Sequence, residues 1–213
     1  MTSSMRLEVD DRVALLTIDR PDKRNAMTAG MWQSLLDHIE VIREDPDIVA
    51  VVLRGVGGSF SAGGDLAELS SGDPQHVESY RGLAESAVLA LLDLETPKIA
   101  QIEGACFGAG CSLALACDVR ISSPDSVFGI PALKNGLVYE RPFVQRLARV
   151  VGPGSASLLL YSGERWSAEE AASRGLVDRC TTDAAAAVEQ LLTSLRGSRA
   201  PAIASITASI RAT

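Results

Sequence analysis

The sequence predicts an α/β fold in which a parallel sheet carries helices packed outside it. Strand-like runs repeatedly end in a turn and open into a helical run: Ile48-Val49-Ala50-Val51-Val52-Leu53 leads to the turn Phe60-Ser61-Ala62-Gly63-Gly64-Asp65-Leu66, and Pro97–Glu103 leads to Gly104-Ala105-Cys106-Phe107-Gly108-Ala109-Gly110-Cys111. Strand-turn-helix units of this size return the chain to one sheet with its strands parallel. The first run is also continuously apolar and rich in valine, the pattern of a strand buried on both faces.

The remaining elements follow in chain order. Leu7–Ile18 holds two β-rich runs that meet at Asp10-Asp11, so it reads as a hairpin. From Thr28, the residues Met31, Leu35, Leu36, Ile39 and Ile42 recur at helical spacing, with Thr28 as N-cap and Pro46 beyond the end. A long helix is expected over Pro74–Leu94 and a shorter one over Cys111–Ala116. Val119–Ile121 and Val127–Ile130 read as short strands, and Phe143–Val150 as a helix. From Gly152 the chain turns Ala- and Ser-rich, with helical patterns over Ser155–Tyr161, Ser167–Arg174, Asp183–Leu195 and Ala202–Arg211. The expected division is therefore a core domain over residues 1–151 and an all-helical C-terminal region over 152–213.

Composition narrows the partners. A chain of 213 residues with 46% apolar and 22% charged residues is ordinary for a soluble globular domain. Its net charge of −7 argues against nucleic acid or an anionic membrane as the main partner, since both call for a basic face. Met1–Arg6 runs straight into a polar strand without an apolar signal core, and no apolar run reaches the length of a bilayer span, so a cytoplasmic protein is expected. Cys106, Cys111, Cys117 and Cys180 form no Cys-x-x-Cys pair, and His38 and His76 lie far apart. No metal site is expected, and the cysteines read as buried reduced thiols.

The two glycine-rich turns suggest chemistry. A strand that ends in small residues and opens a helix leaves backbone N–H groups unpaired and aimed at one point, which favours negative charge there. Two such turns brought together could hold a carbonyl oxygen as it becomes an enolate, a stabilisation of roughly 3–4 kcal/mol per donor in comparable sites.

Four segments carry a family resemblance. Arg20-Pro21-Asp22-Lys23-Arg24-Asn25-Ala26-Met27, the Phe60–Leu66 turn, Gly104–Asp118, and Ser167–Ala171 through Gly175-Leu176-Val177 are similar, in order and spacing, to the motifs of the crotonase superfamily, the enoyl-CoA hydratase/isomerase group. The resemblance implies a spiral of ββα units that binds the CoA thioester of a fatty acyl or enoyl chain, in trimers or hexamers, with no cofactor beyond the CoA of the substrate. It implies that Gly64 and Ala109 are the two oxyanion N–H donors. It places Lys23, Arg24, Ala26, Ala62, Gly63, Asp65 and Leu66 against CoA, the cations on its phosphates; Lys23 and Arg24 read equally well as a solvated loop.

The same comparison removes the usual acids. The positions of the two glutamates that typical hydratases use fall on Ser112 and Ala132, and neither residue can activate water or protonate carbon alone. Two-glutamate hydration is therefore disfavoured. Glu140 aligns with a catalytic aspartate of dienoyl-CoA isomerases and aryl-CoA dehalogenases, which makes it the candidate acid or base; a surface ion pair with Arg141 or a redesigned acyl pocket is the competing reading. Tyr80 and Tyr139 are further hydroxyl candidates. The basic residue expected after Asp65-Leu66 is replaced by Ala67 and Glu68, which leaves other cations such as Arg54 to serve. The family pattern also continues past the position of Thr213, so a looser CoA clamp is expected. Three functions stay open: an enzyme acting on an acyl- or enoyl-CoA, an acyl-CoA-binding protein without catalysis, and a partner subunit whose helices assist another enzyme.

Overall fold

The computed structural model describes residues 4–211, and its chain folds around two sheets. Strands β1 (Ser4–Asp10) and β2 (Val13–Asp19) form the expected hairpin, closed by Asp11 and Arg12 at φ 42° and 67°. Helix α1 (Ala29–Glu44) begins at Thr28, whose side chain accepts from the Met31 N–H, as the sequence predicts. It buries Met31, Trp32, Leu35, Ile39 and Ile42, the stripe that its apolar spacing defines. Strand β3 (Ala50–Gly55), the short helix α2 (Leu66–Leu69) and the long helix α3 (Pro74–Asp93) follow.

The second half repeats the pattern. Strands β4 (Lys98–Ile102) and β5 (Ala105–Phe107) precede α4 (Ala109–Ala116), then β6 (Val119–Ser122), β7 (Val127–Gly129) and α5 (Arg141–Val151). After α6 (Pro153–Ser162) come β8 (Trp166–Ser167), α7 (Ala168–Ser173), β9 (Arg179–Cys180), α8 (Ala184–Arg196) and α9 (Ala200–Arg211). The large sheet runs β1-β2-β3-β4-β6-β9, parallel apart from the β1–β2 hairpin. The small sheet runs β5-β7-β8.

Region 152–213 is not all-helical as expected. Its β8 and β9 add edge strands to the two sheets; each is two residues long, too short to leave a periodic signal in sequence. Cys180 sits exposed on β9, against the expectation of burial, whereas Cys106, Cys111 and Cys117 are buried and unbridged.

Burial explains why β3 reads as continuously apolar. Val51 and Leu53 face the main core with Leu16, Ala100 and the inner faces of α1 and α3. Ala50 and Val52 face the other way, with Val13, Ile99 and Ile121, and are covered by Ala184, Val188 and Leu192 of α8. Each valine, leucine or isoleucine among them contributes roughly 1.5–3 kcal/mol on burial, so both layers hold the sheet that delivers the glycine turns. Lys98, wholly buried, donates to the Leu94 carbonyl and to Asp118, tying β4 to the end of α4.

Candidate functional site

The two glycine turns lie side by side, joined through backbone. The Ser61 N–H donates to the Ala105 carbonyl and the Phe107 N–H to the Ser61 carbonyl, at 2.9 Å each, which splices the first turn onto β5. Met27 bridges the far side of that turn, donating to the Gly63 carbonyl at 2.8 Å and accepting from the Asp65 N–H at 2.9 Å. In a trans peptide C=O and N–H point in opposite directions, so with the Gly63 carbonyl facing Met27 the Gly64 N–H points away from it. The Gly63 N–H is consumed by Ser61 Oγ at 3.1 Å. Gly63 has φ 101°, and a Cβ there would stand 2.8 Å from the Phe107 carbonyl oxygen; the close approach of the turns requires glycine.

Ala109 is the first residue of α4. Its cap, Gly108, has φ 51° and ψ −118°, a conformation natural to glycine, and offers no side chain to the first turn. Among the described residues, neither the Gly64 N–H nor the Ala109 N–H donates to a protein acceptor. Both line one cavity of about 130 Å³. The two turns thus bring two unpaired backbone donors to one cavity.

Much of that cavity is apolar, with Trp32, Leu69, Ile130, Leu137 and Phe143 among its walls; Arg81 and Asn135 also line it, and Glu140 is the one carboxylate on it among the described residues. Glu140 stands at the N-cap of α5, half-buried, with Oε1 3.7 Å from Arg81 Nε. Its ion-pair partner is thus Arg81 of α3, in place of the Arg141 that the sequence suggests. Burial raises the Glu140 pKa above the ordinary value; Arg81 opposes that, while Glu85 and Glu78 add to it. Ser112 and Ala132 line the same cavity, so the positions that resemblance assigns to acids are brought to the site without them.

The two tyrosines differ. The Tyr80 hydroxyl donates to the Met27 carbonyl at 2.7 Å and accepts from Trp32 Nε1 and the Asp65 N–H at 3.1 Å each. Its hydrogen-bonding capacity is used in bracing the first turn, and burial pushes its pKa up to about 12. The Tyr139 hydroxyl lies 2.5 Å from Ser112 Oγ and 3.3 Å from the Gly108 carbonyl oxygen.

A wider groove of about 620 Å³ opens beside the cavity, sharing Ala62, Gly64, Leu66, Phe107 and Pro131 with it. It collects Lys23, Arg24 and Ala26 from the first loop, and it adds two cations the sequence reading missed, Lys134 and Arg165. Lys134 donates to the Gly163 carbonyl, and the Arg165 guanidinium stacks 5.4 Å over the Phe107 ring. Arg54, the substitute cation that the sequence offered, lies on β3 and does not line the groove.

Asp65 lies on the groove wall, but its carboxylate is engaged within the fold. Oδ1 accepts from the Ala67 and Glu68 N–H groups at the start of α2, and Oδ2 accepts from Arg20 at 2.5 Å. Burial works against its ionisation, yet the Arg20 bond and the two backbone donors outweigh it and hold the carboxyl below its ordinary pKa. Asn25, buried with φ 60°, receives the Arg20 N–H and donates to the Val56 and Ser59 carbonyls, so it fixes the loop that carries Lys23 and Arg24. Among the described residues no cluster of His, Cys, Asp and Glu is arranged to hold a metal, and no helix is long and apolar enough to cross a membrane.

These features can be set beside known proteins. The family model described as Enoyl-CoA hydratase/isomerase matches residues 8–211. The chain is 36% identical over 174 residues to the Arabidopsis thaliana protein named "Probable enoyl-CoA hydratase 2, mitochondrial", covering 81% of this chain and 58% of that one. It is 33% identical to a crotonyl-CoA hydratase of Syntrophomonas wolfei, over 81% of this chain and 67% of the relative. The chain thus spans about three fifths to two thirds of the length of these two relatives. An enoyl-CoA hydratase/carnithine racemase structure from Magnetospirillum magneticum superposes with a TM-score of 0.93 at 30% identity, over 99% of this chain and 81% of that one. With the spliced glycine turns, the paired sheets and a match that runs almost from end to end, the chain belongs to the enoyl-CoA hydratase/isomerase family.

Proposed function

We propose that the protein binds the CoA thioester of an acyl or enoyl chain and polarises its carbonyl through the N–H groups of Gly64 and Ala109. The observation that carries this reading is the pair of unpaired donors on one apolar cavity. The acyl chain occupies the cavity, and the CoA moiety lies in the adjoining groove, where Lys23, Arg24, Lys134 and Arg165 face its phosphates. Ala26, Ala62, Gly63 and Leu66 supply the walls at the junction, and Asp65 holds their shape.

The chemistry follows from where charge develops. Removing a proton from the carbon next to the thioester carbonyl places negative charge on the carbonyl oxygen, and two prearranged N–H donors stabilise that enolate more than the neutral carbonyl. Glu140 is the base and then the acid. Its raised pKa makes the carboxylate a stronger base toward the carbon-bound proton and brings the group nearer the pH at which one residue can both take a proton and return it. A double-bond isomerisation or an elimination needs only this one shuttle, whereas hydration of the two-acid kind lacks its partners at Ser112 and Ala132. A second reading, acyl-CoA binding without catalysis, draws support from the single carboxylate and its pairing with Arg81.

Incubation with crotonyl-CoA and with 3-enoyl and dienoyl isomers, beside Glu140→Gln, separates the two. Turnover abolished by the substitution is the expected result; tight acyl-CoA binding with no turnover of any isomer establishes the second reading. We further propose a cytoplasmic homotrimer or hexamer; the exposed Ile206 on α9 is in keeping with contact between copies of the chain.

A further inference from the structure

We infer that Tyr139, held by Ser112, is a positioning residue that strengthens the oxyanion donor of Ala109 through the peptide bond between Gly108 and Ala109. The inference rests on the thioester reading above and names a further part of that site.

The geometry runs as a chain of donors. The Gly108 carbonyl oxygen can only accept, so in the 3.3 Å contact the Tyr139 hydroxyl donates to it. That uses Tyr139's single proton. In the 2.5 Å contact the Tyr139 oxygen is therefore the acceptor and Ser112 Oγ–H the donor. The same carbonyl also receives the Ser112 N–H at 3.2 Å, the first hydrogen bond of α4. In a trans peptide C=O and N–H point in opposite directions, and no peptide bond among the described residues is cis. Tyr139 thus pulls electron density from one side of the unit whose N–H, on the other side, faces the cavity. Hydrogen bonds in series polarise one another by about 10–30% per bond.

Surroundings favour the effect. Ser112 is 2% exposed, and the Tyr139 ring packs edge-on against Phe143 with centroids 5.8 Å apart. Little water competes for the hydroxyls there. Burial also raises the Tyr139 pKa well above the ordinary value, so the phenol keeps the proton it donates across the working range. The place of the hydroxyls at the blunt end of the Gly108–Ala109 peptide assigns them an indirect role and leaves proton transfer to Glu140.

Tyr139→Phe removes the hydroxyl and keeps the ring; Ser112→Ala removes the donor behind it. The probe is butyryl-CoA labelled with ¹³C at the thioester carbonyl, read by infrared difference spectroscopy on the full chain, beside turnover and the acyl-CoA dissociation constant. Wild type is expected to lower the carbonyl frequency on binding. Tyr139→Phe should retain a smaller shift, bind within about threefold, and lose turnover about threefold to tenfold, less than the 10²–10³ of a deleted donor. Ser112→Ala should fall between the two. An unchanged shift in both variants overturns the inference and leaves the thioester reading standing, whereas a wild-type carbonyl that does not shift overturns both. If Tyr139→Phe does not fold, the Ser112→Ala shift alone decides.

Discussion

Ala109→Pro isolates one oxyanion donor at little cost to the fold. Ala109 is the first residue of α4, the helical position where proline's fixed φ and missing N–H are tolerated. Its N–H donates to no described residue, so the substitution breaks no internal hydrogen bond. Gly108 before it has φ 51° and ψ −118°, the mirror image of the extended conformation that proline favours in its predecessor, and one open to glycine because it carries no Cβ. Stability should therefore change by no more than about 1 kcal/mol, the scale of a compatible proline substitution. Loss of one such donor costs about 2.7–4 kcal/mol of transition-state stabilisation, or 10²–10³ in turnover, and the proline ring also enters the space the donor served. Thermal unfolding and steady-state turnover on the isomer that wild type converts are measured side by side. Turnover within about threefold of wild type, in a protein that melts normally, refutes the assignment of Ala109.

Four further outcomes follow from the site. Single alanine substitutions of Lys23, Arg24, Lys134 and Arg165 should each weaken acyl-CoA binding roughly twofold to fivefold, as expected for exposed ion pairs, and leave an acyl-pantetheine without the nucleotide unaffected; calorimetry that finds no change in any of the four removes CoA from the groove. The acid limb of kcat/KM should lie above the ordinary carboxylate value of 4.5 because burial raises Glu140, and Arg81→Gln should move it higher, since the Arg81 charge opposes the rise; a limb unmoved by Arg81→Gln assigns it to another group. Asp65 has a folded pKa below its unfolded value near 3.8, so its stabilisation is present above that pH and is lost as pH falls through the folded value. Asp65→Asn should accordingly cost about 1.5–3 kcal/mol at neutral pH, the range for a hydrogen bond to a charged group, with the difference from wild type closing in acid; a cost independent of pH contradicts the Arg20 pairing. Gly64→Ala should disturb the first turn, since a Cβ would stand 2.8 Å from the Tyr80 hydroxyl that braces it, and a melting temperature equal to wild type would count against that role of Tyr80.

The sequence is most legible where a local pattern has a local cause. Thr28 caps α1, the apolar stripe of that helix faces the core, and β3 is buried on both sides, all readable from spacing. The two glycine turns are legible for the same reason, because an uncapped helix start at Ala109 and a tight turn at Gly63 each need particular small residues. Less legible are features made by distant segments. Lys134 and Arg165 reach the groove of Lys23 and Arg24 only because the β7–β8 pairing and the Lys134–Gly163 contact fold them there. Asp65 looks like a ligand residue in sequence; its engagement by Arg20 appears only when the two loops meet. Glu140 pairs with Arg81, 59 positions away, and not with its neighbour Arg141, because Arg141 opens α5 while the Glu140 side chain turns toward α3.

The central claim is that the Gly64 and Ala109 N–H groups grip the thioester oxygen, and amide NMR on the ¹⁵N-labelled chain reads those two groups directly. Titration with butyryl-CoA should move both amide protons downfield, as a strengthening hydrogen bond does, while CoA without the acyl group moves groove amides and leaves these two in place. Saturation with butyryl-CoA that shifts the groove amides but neither Gly64 nor Ala109 would contradict the account.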